Sequence, residues 1–408
     1  MSNNFAPNIV QDGLVMFLDA ANPKSYNPAE NLLQYSQAQA TSPWAKIGAS
    51  VTLTNNSLAA PDGTLTATLF NDTSFVSGNS VYQDITVSGT GTYTISIYAK
   101  AGTATSINLA GFFLSNTIQG FGLTVNLSTG AITGGTGYSV SVGNGWYRIY
   151  ATGIGINALN TNLRFQPYAQ ATGTFYLWGA QINVGSYVRT YTPTTSAAIT
   201  ASTTWTDLSG TGNNVTLANA PSFTGTTFLF NGTNQWCFNA TPNLPTDKLN
   251  STCLCWCLPD STRAAETYVG LVSYGGRTSS NARLMSYWTN TTTAYTSSAY
   301  WGNDYVPQAT AITLNSWNMV GMLAYGAPTT NNTTLLAGSS PIISYSTGNS
   351  SNYTAGLVTT SINLAVASTD YPGRYFKGQI GVVMFYNRAL TTDEIQQNYY
   401  ALRGRFGI

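Results

Sequence analysis

Residues 375–408 read YFKGQIGVVMFYNRALTTDEIQQNYYALRGRFGI. Between Gly378 and Asn387 one alternation carries Ile380, Val382, Met384 and Tyr386, and the other carries Val383 and Phe385. Both faces are apolar, which predicts a central strand covered on two sides. A helix follows at once. Thr391 and Glu394 have the spacing of a capping box, with Leu390 and Ile395 placed as its hydrophobic staple. Ile395, Tyr399 and Leu402 then recur at i, i+4 and i+7 on one face, and Gly404 is the expected helix end.

The same two-faced pattern opens the chain. In Gly13–Asp19, Leu14, Met16 and Leu18 alternate with Val15 and Phe17 before Ala-Asn-Pro breaks the run. Between Asn31 and Thr195 the pattern is one of short strands: Tyr93, Ile95, Ile97 and Ala99, then Phe121, Leu123, Val125 and Leu127. Trp146–Tyr150 and Phe175–Gln181 add two more, and Gly-rich clusters such as Ser88–Gly91 and Ser128–Gly130 separate the runs. Beyond Trp205, strands are expected at Phe228–Phe230, ending in an Asn231-Gly232 turn, and at Thr252–Leu258, Trp317–Ala324 and Ile362–Ala367. Nowhere between Asn31 and Thr195 is there a convincing 3.6-residue period, and the chain is expected to be all-β and built of β-sandwiches.

Three stretches add a resemblance. The closing segment, F-x-G-x-I-G…F-Y-N-R-A-L-T…E-I, is similar to the end of laminin-G-like, concanavalin-A-like jelly rolls. Gly13–Ala20 resembles their opening G-L-V-x-x-L-D-A. The motif W-x-D-L-S-G-x-G-N that follows closely in that family appears here only at Trp205, Asp207, Leu208, Ser209, Gly210, Gly212 and Asn213. The delay implies an inserted domain. The intervening Asn31-Leu32-Leu33…Trp44 and F-Y-L-W-G-A-Q-I…G-S-Y…T-P-T resemble carbohydrate-binding-module-like jelly rolls of phage adhesins and fibres. The expectation is therefore two β-sandwich (jelly-roll) domains, one inserted in the other, with one short C-terminal helix. Residues 1–30 and 196–408 form the first domain and residues 31–195 the second. Insertion is physically cheap when the ends of the insert lie close together.

Composition narrows function. Of 408 residues only 7% are charged and the net charge is +1, against roughly 25% charged in ordinary soluble domains. No electrostatic case exists for nucleic acid or an anionic membrane. Sparse charge suits a chain packed into an assembly. MSNNFAPNIV lacks the basic start and apolar run of a secretory signal, and no window approaches the ~20 apolar residues of a membrane span. Cys253, Cys255 and Cys257 share one side of a strand about 6.6 Å apart, beyond good disulfide geometry. With Cys237 they are expected to be buried, reduced and apolar in role, as in a chain made in a reducing cytosol.

The chain contains no histidine, which excludes Ser-His-Asp and Cys-His catalysis and mixed Cys/His zinc sites. Its three glutamates, Glu30, Glu266 and Glu394, form no E-x-D-x-x-E pattern, so the paired carboxylates of a glycosidase are not visible. No enzyme is expected, and no cofactor is required. Asp207 is the candidate ligand for a structural calcium, weighed against an Asx-turn; the Asx-turn is the reading adopted. For sugar binding the chemistry needs exposed rings beside short polar groups. Tyr287–Tyr305 has that composition, with Trp288, Tyr295, Tyr300, Trp301, Asp304 and Tyr305 as candidate glycan-binding residues. Half of these rings fall to the core by alternation, and packing or subunit contact competes for the rest. Trp44, Trp146 and Trp178 are expected in the core.

What the resemblances imply is a non-enzymatic surface protein of a tailed-phage virion, made in the host bacterial cytoplasm: a tail fibre, adhesin or head decoration. Its partners would be other virion proteins, further copies of itself and host cell-surface glycans. Pure decoration without sugar binding and a glycan depolymerase are the alternatives.

Overall fold

The computed structural model describes residues 7–408 except 88–90, 114–118, 156–160, 245–249, 263–268, 275–282, 290–293, 301–303, 325–330, 338–343, 350–363 and 369–373; for 112–113, 119–120, 283–289, 294–300, 304–311, 324, 331–337 and 344–349 it describes the backbone alone. The chain divides into two compact units, one made of residues up to Asn27 with Ser202–Ile408, the other of Pro28–Ala201.

The first unit opens with β1 (Leu14–Asp19). The second unit holds β2 (Ala45–Ile47), β3 (Val51–Ala59), β4 (Leu65–Asp72), β5 (Ser80–Thr86), β6 (Thr92–Ala101), β7 (Ser106–Phe113), β8 (Gln119–Asn126), β9 (Ile132–Gly135), β10 (Tyr138–Gly143), β11 (Trp146–Gly155), β12 (Asn162–Ala169) and β13 (Gly173–Val184). The first unit resumes with β14 (Thr204–Trp205), β15 (Val215–Ala218), β16 (Ser222–Phe223), β17 (Phe228–Asn231), β18 (Trp236–Asn239), β19 (Ser251–Pro259), β20 (Val269–Tyr274), β21 (Arg283–Thr289), β22 (Ala294–Tyr300), β23 (Asp304–Ile312), β24 (Asn318–Ala324), β25 (Asn331–Ala337), β26 (Ser344–Asn349), β27 (Leu364–Val366) and β28 (Lys377–Tyr386). Helix α1 (Thr392–Leu402) and a 3-10 turn, Arg403–Phe406, end the chain.

In the second unit, one sheet runs β10-β11-β6-β13-β4-β3 and the other β2-β5-β12-β7-β8-β9. Odd-numbered residues of β6 (Tyr93, Ile95, Ile97, Ala99) join Ile107, Leu109, Leu123, Val125, Leu163 and Phe165 in one buried cluster between the sheets. The period-two pattern thus puts a dry core on one face of each sheet and turns the alternate side chains to the other face. Glu30 and Arg189 meet at 3.3 Å with side chains only 5% and 6% exposed. Asn31 and Ile199 exchange backbone hydrogen bonds of 2.8 and 2.9 Å beside them. The ends of this unit are therefore bonded to each other.

In the first unit, β28 pairs along one edge with both β1 and β17 and along the other with β19. The strand that begins the unit is hydrogen-bonded to the strand that ends it. Leu254, Trp256, Val382, Met384 and Tyr386 form one cluster with Leu390, Ile395, Tyr399, Leu402 and Phe406, so α1 covers one face of the sheet. On the other face Phe385 meets Tyr274 of β20, in the sheet β14-β15-β18-β27-β20-β21-β22-β23, edge-to-face at 4.9 Å. The alternation has one interruption, a register shift against β19 between Val382 and Ile380, and a Cβ on Gly381 would come within 2.6 Å of the Phe406 ring.

The capping box is present as read: Glu394 N donates to Thr391 Oγ1, and Thr391 N donates to Glu394 Oε2 at 2.8 Å. The helix end differs. Gly404 lies inside the 3-10 turn and the left-handed residue is Gly407, φ 72°, because the extra turn carries Phe406 onto Trp256, ring centroids 4.8 Å apart. Asn231-Gly232 ends β17 in a turn as read, and the turn joins two sheets: β17 and β18 belong to different ones, and Asn231 Oδ1 accepts from the N–H of Thr233, Asn234 and Gln235. All four cysteines are free and buried. Desolvation pushes the thiols of Cys237, Cys253 and Cys255 well up from their ordinary value, leaving them protonated and apolar in role.

Candidate functional site

The outward face of sheet β2-β5-β12-β7-β8-β9 gathers polar side chains from four strands. Arg164 on β12 stands opposite Asp84 on β5 and grips it through Nε and Nη2 at 2.7 and 2.8 Å. Its guanidinium carbon sits 3.8 Å from the centre of the Tyr82 ring. The carboxylate hydrogen bonds are the largest influence on Arg164 and push its pKa up from the ordinary value, so the fork is a fixed cation. Two residues further along β12, Gln166 donates from Nε2 to Ser80 Oγ at 2.8 Å. Tyr168 faces Asn108 on β7, and Asn108 faces Thr124 on β8. Burial holds the Tyr168 phenol up from its ordinary pKa and keeps its O–H as a donor.

Small residues make the bed of this face. Gln166 lies opposite Ala110, Ala110 opposite Gly122, and Thr124 opposite Gly134. Asn108 is 8% exposed. One end of its amide meets Thr124 Oγ1 at 2.9 Å, and the other has no partner. That holds whichever way the amide is turned. A planar ring under a charged fork, flanked by amides and hydroxyls over Ala and Gly, is suited to an apolar ring edged with hydroxyls: charge-assisted bonds fix the hydroxyls and the aromatic surface takes C–H faces.

The six residues singled out from sequence lie on β21, β22 and β23, except Trp301, which is outside the described residues. The backbone register sets Trp288 opposite Tyr295, Tyr300 opposite Asp304, and Tyr305 opposite Ala299. Tyr295 and Tyr300 are an odd number of positions apart, so the register assigns Trp288 with Tyr295 to one face and Tyr300 with Asp304 to the other. Their side chains are outside the described atoms.

Asp207 follows β14 and accepts five donors. Oδ1 takes Phe17 N at 2.8 Å and Ser209 N at 2.9 Å, while Oδ2 takes Ser209 Oγ, Thr211 Oγ1 and Asn213 N at 2.8, 3.1 and 3.0 Å. This is the Asx-turn arrangement, extended to clamp β1. Calcium requires oxygens that are free to coordinate. Here both carboxylate oxygens are already filled with N–H and O–H groups, so the donor set does not fit a calcium ion. Among the described residues no cluster of three or more acidic or cysteine side chains could hold a metal.

The two described glutamates are engaged. Glu394 is bound by Arg388 at 2.6 Å, and Glu30 is enclosed with Arg189. Burial, the larger influence on Glu30, raises its pKa, and the Arg189 charge partly opposes that. Glu266 lies outside the described residues. Trp44, Trp146 and Trp178 are buried at 7%, 1% and 4% exposure. The residues that sequence reading missed, Tyr82, Asp84, Asn108, Arg164 and Gln166, carry no local signal, because strand pairing alone brings them together. No described helix is long and apolar enough to cross a membrane.

No family model and no curated protein matches the chain. Among solved structures, the chain is similar to a heptameric pentraxin of Limulus polyphemus, with 13% identity and TM-score 0.30 over 40% of this chain and 79% of that one. It is also similar to domain 4 of a GH43 extracellular arabinanase of Geobacillus stearothermophilus solved with arabinotriose, with 17% identity and TM-score 0.33 over 48% of this chain and 92% of that one. A third likeness is to a Trypanosoma rangeli sialidase, with 12% identity and TM-score 0.37 over 50% of this chain and 31% of that one. Each overlap is partial, and no activity or ligand is transferred from them.

Proposed function

We propose that this chain is a non-enzymatic surface protein of a tailed-phage virion, a fibre, adhesin or head decoration, that contacts host surface glycans through the second unit. The observation that supports it is the Arg164–Asp84 fork over Tyr82, continued along one sheet face by Gln166, Tyr168, Asn108 and Thr124. The virion setting is supported by the motif resemblances of both units and by a surface with little self-repelling charge. Other virion proteins and further copies of the chain are the proposed partners of the remaining surface. The aromatic stretch on β21–β23 is proposed as a second contact, on the strength of its cross-strand pairs Trp288–Tyr295 and Tyr300–Asp304.

A glycan array on the purified chain tests the reading, with Arg164→Gln and Tyr82→Ala beside the wild type. Binding that both variants lose supports it. Retention by these variants moves the site to β21–β23. No binding to any glycan leaves pure decoration of the particle. Release of reducing ends from a bound polysaccharide would make the chain a depolymerase.

A further inference from the structure

The opposite outward face of the same unit carries two cations, Arg148 and Lys100, with no ion-pair partner among the described residues, while the Asp62 charge acts on Tyr191 on its covered half. Sheet β10-β11-β6-β13 sets Tyr138 beside Tyr150 and Tyr150 beside Ser96, then Val140 beside Arg148 and Arg148 beside Tyr98, then Trp146 beside Lys100. The β13 half of this face is covered. Tyr191 packs on Trp178 at 4.7 Å and on Tyr98 at 5.9 Å, Thr192 N donates to Gln181 Oε1 at 2.8 Å, and Trp178 Nε1 donates to Thr66 Oγ1 at 2.9 Å. The β10 half is open: Tyr138, Val140 and Val142 are 55%, 47% and 42% exposed. Tyr138 and Tyr150 stack at 4.9 Å with 18° between their planes.

Arg148 stands where the covered half meets the open one. Its Nη2 donates to Arg189 O at 2.7 Å and to Ser96 Oγ at 3.3 Å, and its guanidinium lies 5.3 Å from the Tyr98 ring centre. Its Nε is buried and has no acceptor. Arg164, Arg189, Arg388 and Arg405 each have a carboxylate partner; among the described residues Arg148 has none. Lys100, diagonally next to it across the β11–β6 ladder, has none either. Desolvation lowers the pKa of Arg148 from its ordinary value, so its charge is held at a cost that an arriving anion relieves.

We propose that this face binds an acidic saccharide. The sugar carboxylate, of uronic or sialic type, lies against Arg148 and Lys100, and the C–H face of the ring lies on the Tyr138–Tyr150 stack. The guanidinium keeps donors to spare, since Nη2 alone is engaged, and the outer face of the exposed Tyr138 ring gives a sugar its apolar contact. The site goes beyond the Arg164 face and does not depend on it, so either can fail alone.

The test titrates the full chain with tetragalacturonate and with a neutral tetrasaccharide of the same length, at low and high salt. Tetragalacturonate is expected to bind, more weakly as salt rises. Arg148→Gln and Tyr138→Ala are each expected to weaken it about tenfold or more, the scale of one charge-assisted contact or one stacking face. Lys100→Gln, at a half-exposed position, reports the same loss in smaller measure and stands in if Arg148→Gln does not fold. Tetragalacturonate binding no tighter than the neutral sugar overturns the proposal. So does undiminished binding by Tyr138→Ala and Lys100→Gln. Binding of a phosphorylated saccharide in preference to the carboxylated one overturns the carboxylate assignment.

Discussion

Arg164 holds Asp84 on a half-exposed sheet face, and such pairs contribute about 1 kcal/mol or less to stability. Arg164→Gln should therefore leave the chemical denaturation midpoint nearly unmoved while weakening glycan binding at least about tenfold, since a charge-assisted contact to a sugar hydroxyl is lost. A site residue and a scaffold residue separate by this contrast. Asp207 is of the second kind. Asp207→Ala leaves the N–H groups of Phe17, Ser209 and Asn213 without this acceptor, and at about 1–3 kcal/mol for each buried group left unpaired it should lower the thermal midpoint clearly. Calcium and a chelator should leave the wild-type midpoint where it is. Asp207 was legible in the sequence because its motif is local: Ser209, Thr211 and Asn213 lie within six positions of it. The Arg164 face was not legible. Asp84 and Arg164 are 80 positions apart, and Asn108 and Gln166 look in isolation like any other amides of an Asn-rich chain.

At the scale of the element, α1 is specified almost wholly by its own residues. Thr391→Ala should cost about 1 kcal/mol by loss of the N-cap. Glu394 accepts from Arg388 and from the Thr391 N–H, and together these hold its pKa down from 4.5 to about 2. A carboxylate lowered on folding stabilises the native state above its unfolded value, and that contribution disappears as the pH falls from 4.5 toward 2. Glu394→Gln should flatten this part of the acid-stability profile, read by thermal unfolding against pH. Gly381 was invisible as a constraint, since a glycine in a strand reads as a weakness. It is the space into which Phe406 packs, so Gly381→Ala should destabilise the first unit by about 1–3 kcal/mol through overpacking. The final 3-10 turn was missed for the same reason: what extends it past Gly404 is the burial of Phe406 on Trp256, a contact made 150 residues away in sequence.

Across the whole molecule, the two-faced apolar strand β28 announced itself as interior before any partner was known, whereas β1 is buried at Met16, Leu18 and Asp19 and only half-buried at Leu14, Val15 and Phe17; the Trp205–Asn213 motif lies where the first unit resumes. Asn213 donates from Nδ2 to Val15 O at 2.6 Å, so the motif closes on the opening strand it was separated from. The units divide at Asn27/Pro28 and Ala201/Ser202, and the Glu30–Arg189 pair and the Asn31–Ile199 bridge, which no local signal marks, fall within the second. Residues 28–201 expressed alone should fold cooperatively. In that fragment Glu30→Ala should cost about 3–5 kcal/mol by leaving Arg189 buried and unpaired, measured by urea unfolding. The central functional claim is tested most directly by soaking crystals of the full chain with the tightest oligosaccharide from the array. Sugar density over Tyr82, bonded to Arg164 and reaching toward Asn108, is the predicted result; an empty face there, with the sugar bound on β21–β23 or nowhere on the second unit, would contradict it.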